Sequence, residues 1–536
     1  MALYTLCTIS GRLRGARTSL PRMSIQCDGF LRRMLNTKVC SNQSADSVKA
    51  RSFREVPRVP LLPPLDALGK PWRLGGLSTR EEICEAGAHL FQKYGPIVRE
   101  KFAGRYTVVH LFSPRDFHTV FQEEGEAPFR IGMAALKHYR DKVPKEYADA
   151  SILHLQGEKW SRLRCATQEH VLRNQAASSY VSALNSVAQD AVDIIDDLTD
   201  QRGEIPDCFY FMRRWALESI TLICIGHRLG AISPVSPLLS QESASVLDEI
   251  MTSLHCLSAF AKSFPYYRYF PTLMWRKFQR AMDDYTAHIT GHIRKAASSW
   301  ESSDRSNPCT ILSRLLQEDK LNFAETVTFT RDIILGGIET VALVVTACLQ
   351  HLARHPDAQV KARTEVAAVF AEDVTDFQPE HVDRLPYLNA CVKESMRLTP
   401  AVPGIVRKLN HDTILSGYLI PARTTIYLQT LVASQLDNHF SKPEEFQPER
   451  WLSNEERADD WVHQASASLP FGAGKRPCLG RRIAEFEIFI ILSKVLLKYS
   501  IEHHHPDVGF YEKIYMIPKG PTRFCFKPIN DPENSK

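Results

Sequence analysis

Apolar residues recur with a helical period along most of the chain, and this pattern predicts a mainly α fold with a small β portion. Helical periodicity dominates from Pro114 to about Ser395, and two long polar loops, near 230–242 and 299–309, interrupt it. No internal repeat or linker divides this part, so the sequence predicts one large unit. The other predicted elements are a helix at 80–95, β-like runs at 96–102, 105–112, 413–420 and 424–430, and a final helix at about 476–498.

The most apolar stretch of the sequence runs from Phe329 to Pro356. Its length would suit a membrane-spanning helix. Glu339 lies in its middle, and a charged residue at that depth is costly in a bilayer. The pattern therefore favours a long helix through the core of the protein over a membrane span.

Positive charge is concentrated at the N-terminus. The net charge is +5, but residues 1–53 alone carry nine basic and two acidic residues, which leaves −2 for residues 54–536. A near-neutral body argues against nucleic-acid binding. The leader is rich in Arg and Ser and has no uninterrupted apolar core, which is typical of a mitochondrial transit peptide, with a disordered basic tail as the alternative.

The 13 cysteines are scattered and form no C-x-x-C pair, which argues against both a zinc site and a secreted disulfide framework. One of them differs from the rest in its surroundings. The segment FGAGKRPCLG places Phe471, Gly474, Arg476, Cys478 and Gly480 at fixed spacing before a predicted helix. Glycines allow close approach to a flat ligand, and a helix N-terminus favours a thiolate. The pattern predicts a soft thiolate ligand for a metal, with a glycine turn around a buried cysteine as the alternative.

A second motif pairs Glu394 with Arg397 at a spacing that puts both on one helix face. Arg450, in FQPERW, supplies a second guanidinium that can bind the same carboxylate. Such a network would fix a loop to a helix. The pair alone is more often a solvated surface contact.

Two further motifs complete the set. Gly336, Gly337, Glu339 and Thr340 lie in the apolar stretch, where helical glycines need a packing or ligand reason and an acid beside an alcohol suits proton delivery. Plain helix packing is the alternative. Trp160 and Arg164 share one helix face and can present an N–H donor and a guanidinium to cofactor carboxylates.

In this order and with these gaps, the four motifs resemble the cytochrome P450 family over roughly residues 54–528. The resemblance implies the family's fold, with haem b between a central helix and the cysteine loop, and monooxygenase activity. It makes Cys478 the axial haem ligand and Glu339 with Thr340 the oxygen-activation pair. The other implied roles are haem contacts from Trp160, Arg164, Arg407, Phe471 and Arg476, and a structural network of Glu394, Arg397 and Arg450. Val341 replaces the second hydroxyl residue of many members.

The mitochondrial branch is favoured by the leader and by Arg481 and Arg482 after the cysteine loop. Lys393 matches a basic position at which such members dock an acidic 2Fe–2S ferredoxin, which is reduced by NADPH through a ferredoxin reductase. Asn389 departs from the usual basic residue, and haem-side packing or solvent exposure is the alternative for the two arginines. The resemblance implies a matrix-side protein associated peripherally with the inner mitochondrial membrane.

Within that branch the chain is similar to arthropod steroid hydroxylases, which suggests an apolar, steroid-like substrate and possible ecdysone 20-hydroxylation. Other sterols and xenobiotics remain open. A haem-thiolate isomerase or dehydratase and a haem sensor are rivals, and neither needs the Glu339–Thr340 pair. Substrate contacts are expected from 129–139, Leu335, Gly336, 402–406 and 514–517.

Overall fold

The computed structural model describes residues 50–59, 78–102, 106–130, 133–147, 150–233, 240–302, 309–370, 376–452, 464–512 and 514–529. Helices dominate this part of the chain, as predicted. The α-helices are α1 Arg80–Tyr94, α2 Pro114–Glu123, α3 Ala134–Lys142, α4 Pro144–Tyr147, α5 Gly157–Leu172, α6 Asn174–Ser178, α7 Val181–Asp193, α8 Ile195–Leu198, α9 Cys208–Ile225, α10 Gln241–Lys262, α11 Leu273–Glu301, α12 Ile311–Glu318, α13 Phe323–Gly337, α14 Glu339–Arg354, α15 Pro356–Phe370, α16 Pro386–Leu398, α17 Thr430–Ala433 and α18 Arg481–Lys498.

The β portion consists of small sheets. The strands are β1 Ser78–Thr79, β2 Ile97–Phe102, β3 Tyr106–Leu111, β4 Glu204–Ile205, β5 Ile405–Lys408, β6 Thr413–Leu415, β7 Tyr418–Ile420, β8 Thr425–Leu428, β9 Tyr499–Glu502, β10 Phe510–Glu512, β11 Met516–Pro518 and β12 Phe524–Pro528. They pair in the orders β2-β3-β8-β5, β1-β10-β11, β4-β12-β9 and β6-β7. Strand β5 was not predicted, because its short run of Ile405 to Lys408 alternates too little to stand out from the flanking loop.

Helix α9 lies at the centre of the helical core. Nearly all of its side chains are buried, including Trp215 and Phe211. It packs against α7, α13 and α14, and α18 packs against α7 and α14. A helix that is buried on nearly all sides belongs inside a large core, and α18, which follows the cysteine loop, packs against the same helices.

The central apolar stretch forms two helices instead of the single helix that the sequence predicts. Helix α13 ends at Gly337, Ile338 has φ −89° and ψ −66°, and α14 resumes at Glu339. Over Phe323–Arg354 the pair is long and apolar enough to cross a membrane, but 78% of its most apolar window is buried inside the protein. Burial of this kind favours the prediction of a core helix.

The described residues begin at Ala50, within the leader proposed from the sequence. Arg51 pairs with the body, since its N–H donates to the carbonyl of Gly417 at 2.9 Å and its carbonyl accepts from Leu419 at 2.9 Å. Its guanidinium lies 3.8 Å from the centre of the Tyr418 ring. The predicted transit peptide otherwise falls on residues 1–49, which lie outside the described residues.

Candidate functional site

The segment from Phe471 to Gly480 forms a tight loop that leads into α18. The N–H of Cys478 donates to the carbonyl of Phe471 at 2.9 Å and closes the loop. Gly472 and Gly474 have φ of +69° and +77°, where a side chain would be strained. Helix α18 starts at Arg481 and not near residue 476 as predicted, because this closure holds the preceding residues in loop geometry.

The sulfur of Cys478 lies inside the protein and remains accessible. The side chain is exposed by surface area, yet the surrounding protein is dense enough for burial to raise the pKa of the thiol. Together these observations place the sulfur against an internal space. Other groups oppose this rise and lower the pKa of the thiol, as expected beside a helix N-terminus. They are the Gly480 N–H and the charges of Arg164, Arg130 and Arg481.

Four predicted cofactor contacts gather around this loop. Arg476 donates to the Leu155 carbonyl at 2.9 Å, and its guanidinium lies 4.6 Å from the centre of the Trp160 ring. Arg164 donates to the carbonyl of Pro477 at 3.2 Å. Arg407 reaches the same loop from β5 and donates to the carbonyl of Arg476 at 3.3 Å. The loop, α5 and β5 therefore bring their guanidinium groups together.

Glu124 is a site residue that the sequence did not reveal. It is fully buried at the end of α2, accepts a hydrogen bond from Arg407 Nε at 2.6 Å and also accepts one from the N–H of Lys475. Gly474 is essential to this contact, since a Cβ there would collide with the Glu124 carboxylate and lie 2.9 Å from Phe121. Glu124 thus joins α2, β5 and the cysteine loop through one carboxylate.

Arg130 is a second residue that the sequence assigned only to a broad substrate segment. Burial and the neighbouring charge of Arg407 lower its pKa, while Tyr515 and Cys478 raise it. Burial and the charges of Arg130, Arg407 and Arg164 likewise lower the pKa of Arg476 to about 9. Arg130 is exposed by surface area while Arg476 is buried, and anionic partners would stabilise these like charges.

The arginine cluster fits a cofactor that carries carboxylates beside a thiolate-bound metal. Glu124 binds Arg407 and its charge acts on Arg476, while the charges acting on Arg130 and Arg164 include that of Cys478 and no carboxylate from the described part of the chain. The Nε of Arg164 is buried and has no hydrogen-bond partner among the described residues. Two propionate groups would supply the missing negative charge and acceptors, so the residues present fit haem.

Thr340 and Glu339 lie at the break between α13 and α14. The Thr340 hydroxyl donates to the Gly336 carbonyl at 3.1 Å. Glu339 is buried and bound by Arg213 of α9, whose Nη2 donates to Oε2 at 2.8 Å. The second contact, Nε to Oε1 at 2.8 Å, is an ion pair with poor hydrogen-bond alignment. Arg213 was not identified from the sequence because it lies more than one hundred residues from Glu339 in the chain.

The two glycines before this break differ in what surrounds them. A Cβ on Gly337 would lie 2.9 Å from Cγ1 of Ile220 in α9, whereas a Cβ on Gly336 would meet nothing within 4 Å beyond its own helix. Gly337 therefore permits close helix packing. Gly336 leaves open space on the side of the helix break.

We expect Gly337→Ala to destabilise the protein by about 1–3 kcal/mol through overpacking. Gly336→Ala should fold with unchanged stability or gain up to about 1 kcal/mol from helix propensity. Thermal unfolding of the two purified variants measures this difference. Equal stability losses in both would contradict the packing role of Gly337.

The Glu394 network forms as the motif spacing suggested. Arg397 donates to both Glu394 oxygens at 2.7 and 2.8 Å, and Arg450 Nε donates at 3.0 Å. Trp451 Nε1 and the N–H of Gln447 add further hydrogen bonds at 2.7 and 3.0 Å. The side chains of Glu394 and Arg397 are completely buried. The network ties α16 to the turn at Pro448–Trp451.

The proposed docking residues are partly occupied by contacts within the protein. Arg481 and Arg482 both pair with Glu485, at 2.8 and 3.2 Å. Arg481 also lies 5.6 Å from the centre of the Phe471 ring. Lys393 is half-buried on α16. The two arginines therefore pack beside the loop, and their pairing with Glu485 reduces the positive charge that they present at the surface.

Tyr515 belongs to one of the expected substrate segments, 514–517. Burial raises the pKa of its hydroxyl, and the charges of Arg130, Glu339 and Cys478 act on it. The N–H of Met516 donates to the carbonyl of Ala401 at 2.9 Å. The hydrogen bond joins the segment 514–517 to residue 401, next to the segment 402–406, and the charge effects relate Tyr515 to Arg130 and to Glu339 at the helix break. Residues 131 and 132 lie outside the described residues.

A second cysteine of the C-terminal part, Cys525, has different surroundings. It lies in strand β12 opposite Glu502 of β9, and its sulfur is 3.6 Å from the carbonyl of Arg202. No helix follows it in the described residues. Cys478, by contrast, has both a helix N-terminus and the arginine cluster beside it.

Comparison with known proteins gives concordant matches. The family model for Cytochrome P450 matches residues 63–526. "1,25-dihydroxyvitamin D(3) 24-hydroxylase, mitochondrial" of Rattus norvegicus is 30% identical, covering 93% of this chain and 97% of that protein. "Probable cytochrome P450 49a1" of Drosophila melanogaster is 28% identical over 89% of this chain and 84% of the relative. "Probable cytochrome P450 12a5, mitochondrial" of the same fly is 28% identical over 90% and 92%.

These matches confirm the resemblance and the helical fold, and several relatives named mitochondrial support a mitochondrial location. Members of the family hold haem through a cysteine thiolate and use it for monooxygenation. The arginine cluster and the cysteine loop agree with that chemistry. The chain belongs to the mitochondrial branch of the cytochrome P450 family of haem-thiolate monooxygenases.

Proposed function

We propose that Cys478 is the axial ligand of the haem iron and that the protein hydroxylates an apolar substrate in mitochondria. The observation that carries this proposal is the accessible sulfur of Cys478 inside a dense interior, beside the Gly480 N–H and Arg164. When bound, haem supplies activation of dioxygen and insertion of one oxygen atom into the substrate. The protein positions the reactants and excludes water.

The arginine cluster would hold the haem propionates. Arg407 and Arg476 already have carbonyl partners in the loop and in the segment before α5, so their guanidinium groups are fixed in place. Trp160 packs against Arg476 and restricts its orientation. Glu124 also accepts a hydrogen bond from Arg407 Nε at 2.6 Å. Preorganised donors of this kind bind carboxylates without a large ordering cost.

Thr340 is proposed to help proton delivery at the helix break by holding a hydrogen-bonding group in place. Its hydroxyl already donates to Gly336, so it can accept a hydrogen bond from a group on the open side while keeping its own donor satisfied. Arg213 holds the neighbouring Glu339 in a buried ion pair, which fixes the first turn of α14. Arg213 would act as a positioning residue.

We expect Thr340→Ala to uncouple the enzyme, so that reducing equivalents leave as hydrogen peroxide or water. The ratio of product to NADPH consumed should fall several-fold. Thr346→Ala is a matched control on the same helix, because the Thr346 hydroxyl donates to the Ala342 carbonyl at 2.8 Å in the same way but is fully buried. If the ratio of product to NADPH were unchanged in Thr340→Ala, the Thr340 hydroxyl would contribute only to packing.

Electron delivery is proposed to come from NADPH through a ferredoxin reductase and an acidic 2Fe–2S ferredoxin that docks near Lys393, Arg481 and Arg482. The two arginines begin the helix that follows the cysteine loop, so a partner there is close to the thiolate. Lys475 in the loop itself is 53% exposed and pairs with the exposed Glu126 at 2.9 Å. Complementary charge increases the rate of encounter.

Charge reversal at Lys393 tests this surface. Lys393→Glu should raise the apparent Michaelis constant for ferredoxin several-fold at low salt, and the effect should shrink as salt screens exposed charges over about 8 Å. Substrate binding measured from the haem spectrum should not change. Lys277→Glu on α11 has the same charge change and serves as the control. Turnover insensitive to Lys393→Glu at low salt would place the docking site elsewhere.

The proposed substrate is rigid, apolar and steroid-like, with ecdysone 20-hydroxylation as the specific candidate and other sterols or xenobiotics as alternatives. Gly336 leaves open space at the helix break, and sites for apolar ligands are commonly lined by apolar side chains with a few polar anchors such as the Tyr515 hydroxyl. The name of the rat relative denotes a hydroxylase of a vitamin D compound. A spectral binding screen with ecdysteroids, cholesterol derivatives, vitamin D compounds and xenobiotics distinguishes these classes.

Peripheral association with the matrix face of the inner mitochondrial membrane is also proposed. The segment between α10 and α11, together with the first residue of α11, exposes large apolar side chains, with Tyr269 at 62%, Phe270 at 64% and Leu273 at 83% exposure. Arg268 and Arg276 lie in or beside the same segment. Aromatic residues flanked by cations favour the interface of an anionic membrane.

A further inference from the structure

We propose that the C-terminal sheet carries a binding site for a thiophilic divalent cation, Zn²⁺, with Cys525, His504 and Glu502 as its protein ligands. The candidate ligand atoms of these residues all lie within 4.8 Å of one another. A thiolate, an imidazole and a carboxylate are ligands that zinc takes in proteins. The site shares no residue with the cysteine loop, so its failure would leave the haem proposal intact.

Strand pairing places two of the ligands together. Cys525 of β12 lies directly opposite Glu502 of β9 in an antiparallel register. Opposed residues project on the same face of a sheet, with their Cβ atoms about 4.5–5.5 Å apart. His504 follows two residues after Glu502, and its Nε2 lies 2.8 Å from Oε2 of Glu502. Ligands brought together by strand register leave no short sequence motif. A search for C-x-x-C pairs therefore could not find this site.

The surroundings of the sulfur suit a cation. Cys525 is buried, and its two strand neighbours are carboxylates, Glu502 of β9 on one side and Glu204 of β4 on the other. The same negative charges attract a cation to the sulfur. Gly203 packs against the sulfur, where a Cβ would lie 3.5 Å away. On binding, zinc would form a bond to sulfur and release the thiol proton to solvent.

Lys527 is the competitor for this site. It lies on the same face of β12 as Cys525, and its Nζ is 2.8 Å from Oε2 of Glu502. Zinc would have to displace this ammonium group from the carboxylate. Removal of the Lys527 charge should therefore strengthen zinc binding, whereas a sheet held only by ion pairs would gain no metal affinity from that change.

The test uses the full-length haem-loaded protein, stripped with a chelator and equilibrated with zinc chloride. Bound zinc is counted by mass spectrometry after dialysis, and its ligands are identified by X-ray absorption at the zinc edge. We expect one zinc ion per chain with a sulfur ligand. Cys525→Ser and His504→Ala should weaken binding by about tenfold or more, and Lys527→Gln should tighten it.

Cys309→Ser is the matched control, since Cys309 is an exposed cysteine outside the sheet. Because the His504 side chain is 57% exposed, His504→Ala keeps the sheet folded and tests the site even where Cys525→Ser does not fold. Zinc affinity that is the same in the wild type, Cys525→Ser and His504→Ala would overturn the proposal. Zinc bound without a sulfur ligand would overturn it as well.

Discussion

Replacing Cys478 with alanine should abolish the red-shifted carbon monoxide band that marks a reduced haem with a thiolate ligand. The loop would still close, because the contact between residue 478 and Phe471 uses the backbone N–H. The iron would lose its sulfur ligand, and with it the electron donation that favours O–O cleavage. A reduced carbon monoxide difference spectrum, normalised to haem content, measures the loss.

Cys525→Ala is the informative control for this experiment, because Cys525 is another cysteine of the C-terminal part but lies in strand β12. It should retain the thiolate band. A normal band in Cys478→Ala, or its loss in Cys525→Ala at equal haem content, would show that a different cysteine holds the iron.

Replacing Glu394 with glutamine should prevent accumulation of haem-loaded protein. Five N–H donors converge on its carboxylate, two of them from Arg397. Glutamine keeps the shape but replaces one acceptor oxygen with an NH₂ group that faces donors. Breaking a buried ion pair in this way costs about 3–5 kcal/mol, which is a large part of the stability of a typical protein.

Yield of haem-loaded protein and thermal unfolding provide the readouts for Glu394→Gln. The matched control is Glu449→Gln on the adjoining turn, because Glu449 is 51% exposed and pairs with Lys361 on the surface. This control should lose less than about 1 kcal/mol. Similar losses in the two variants would mean that the buried network does not hold α16 to the turn.

The residues found from the sequence belong to short motifs. The cysteine loop lies within ten consecutive residues, and its glycines and following helix act locally. The Glu394–Arg397 pair follows from helix geometry, which fixes the relation of residues three apart. Local spacing was sufficient in both cases because the chemistry depends on neighbours in the chain.

The residues missed are those whose partners are distant in sequence. Glu124 binds Arg407 and the Lys475 N–H across more than two hundred residues, and Arg213 reaches Glu339 from another helix. No periodicity encodes such pairs. The break at Ile338 was missed for a related reason, since the apolar pattern continues through it, while Gly337 beside it packs against Ile220 of α9, more than one hundred residues away in the chain.

The measurement that bears most directly on the proposed haem-thiolate monooxygenase is reduction of its ferric haem by NADPH, ferredoxin reductase and 2Fe–2S ferredoxin, trapped with carbon monoxide. It requires no knowledge of the substrate and reports ligand and electron source together. The thiolate band should form rapidly with the complete system, fail when ferredoxin is omitted, and be absent from Cys478→Ala. A wild-type protein that binds haem but forms no thiolate band, or forms it only with a chemical reductant, would contradict the proposed function.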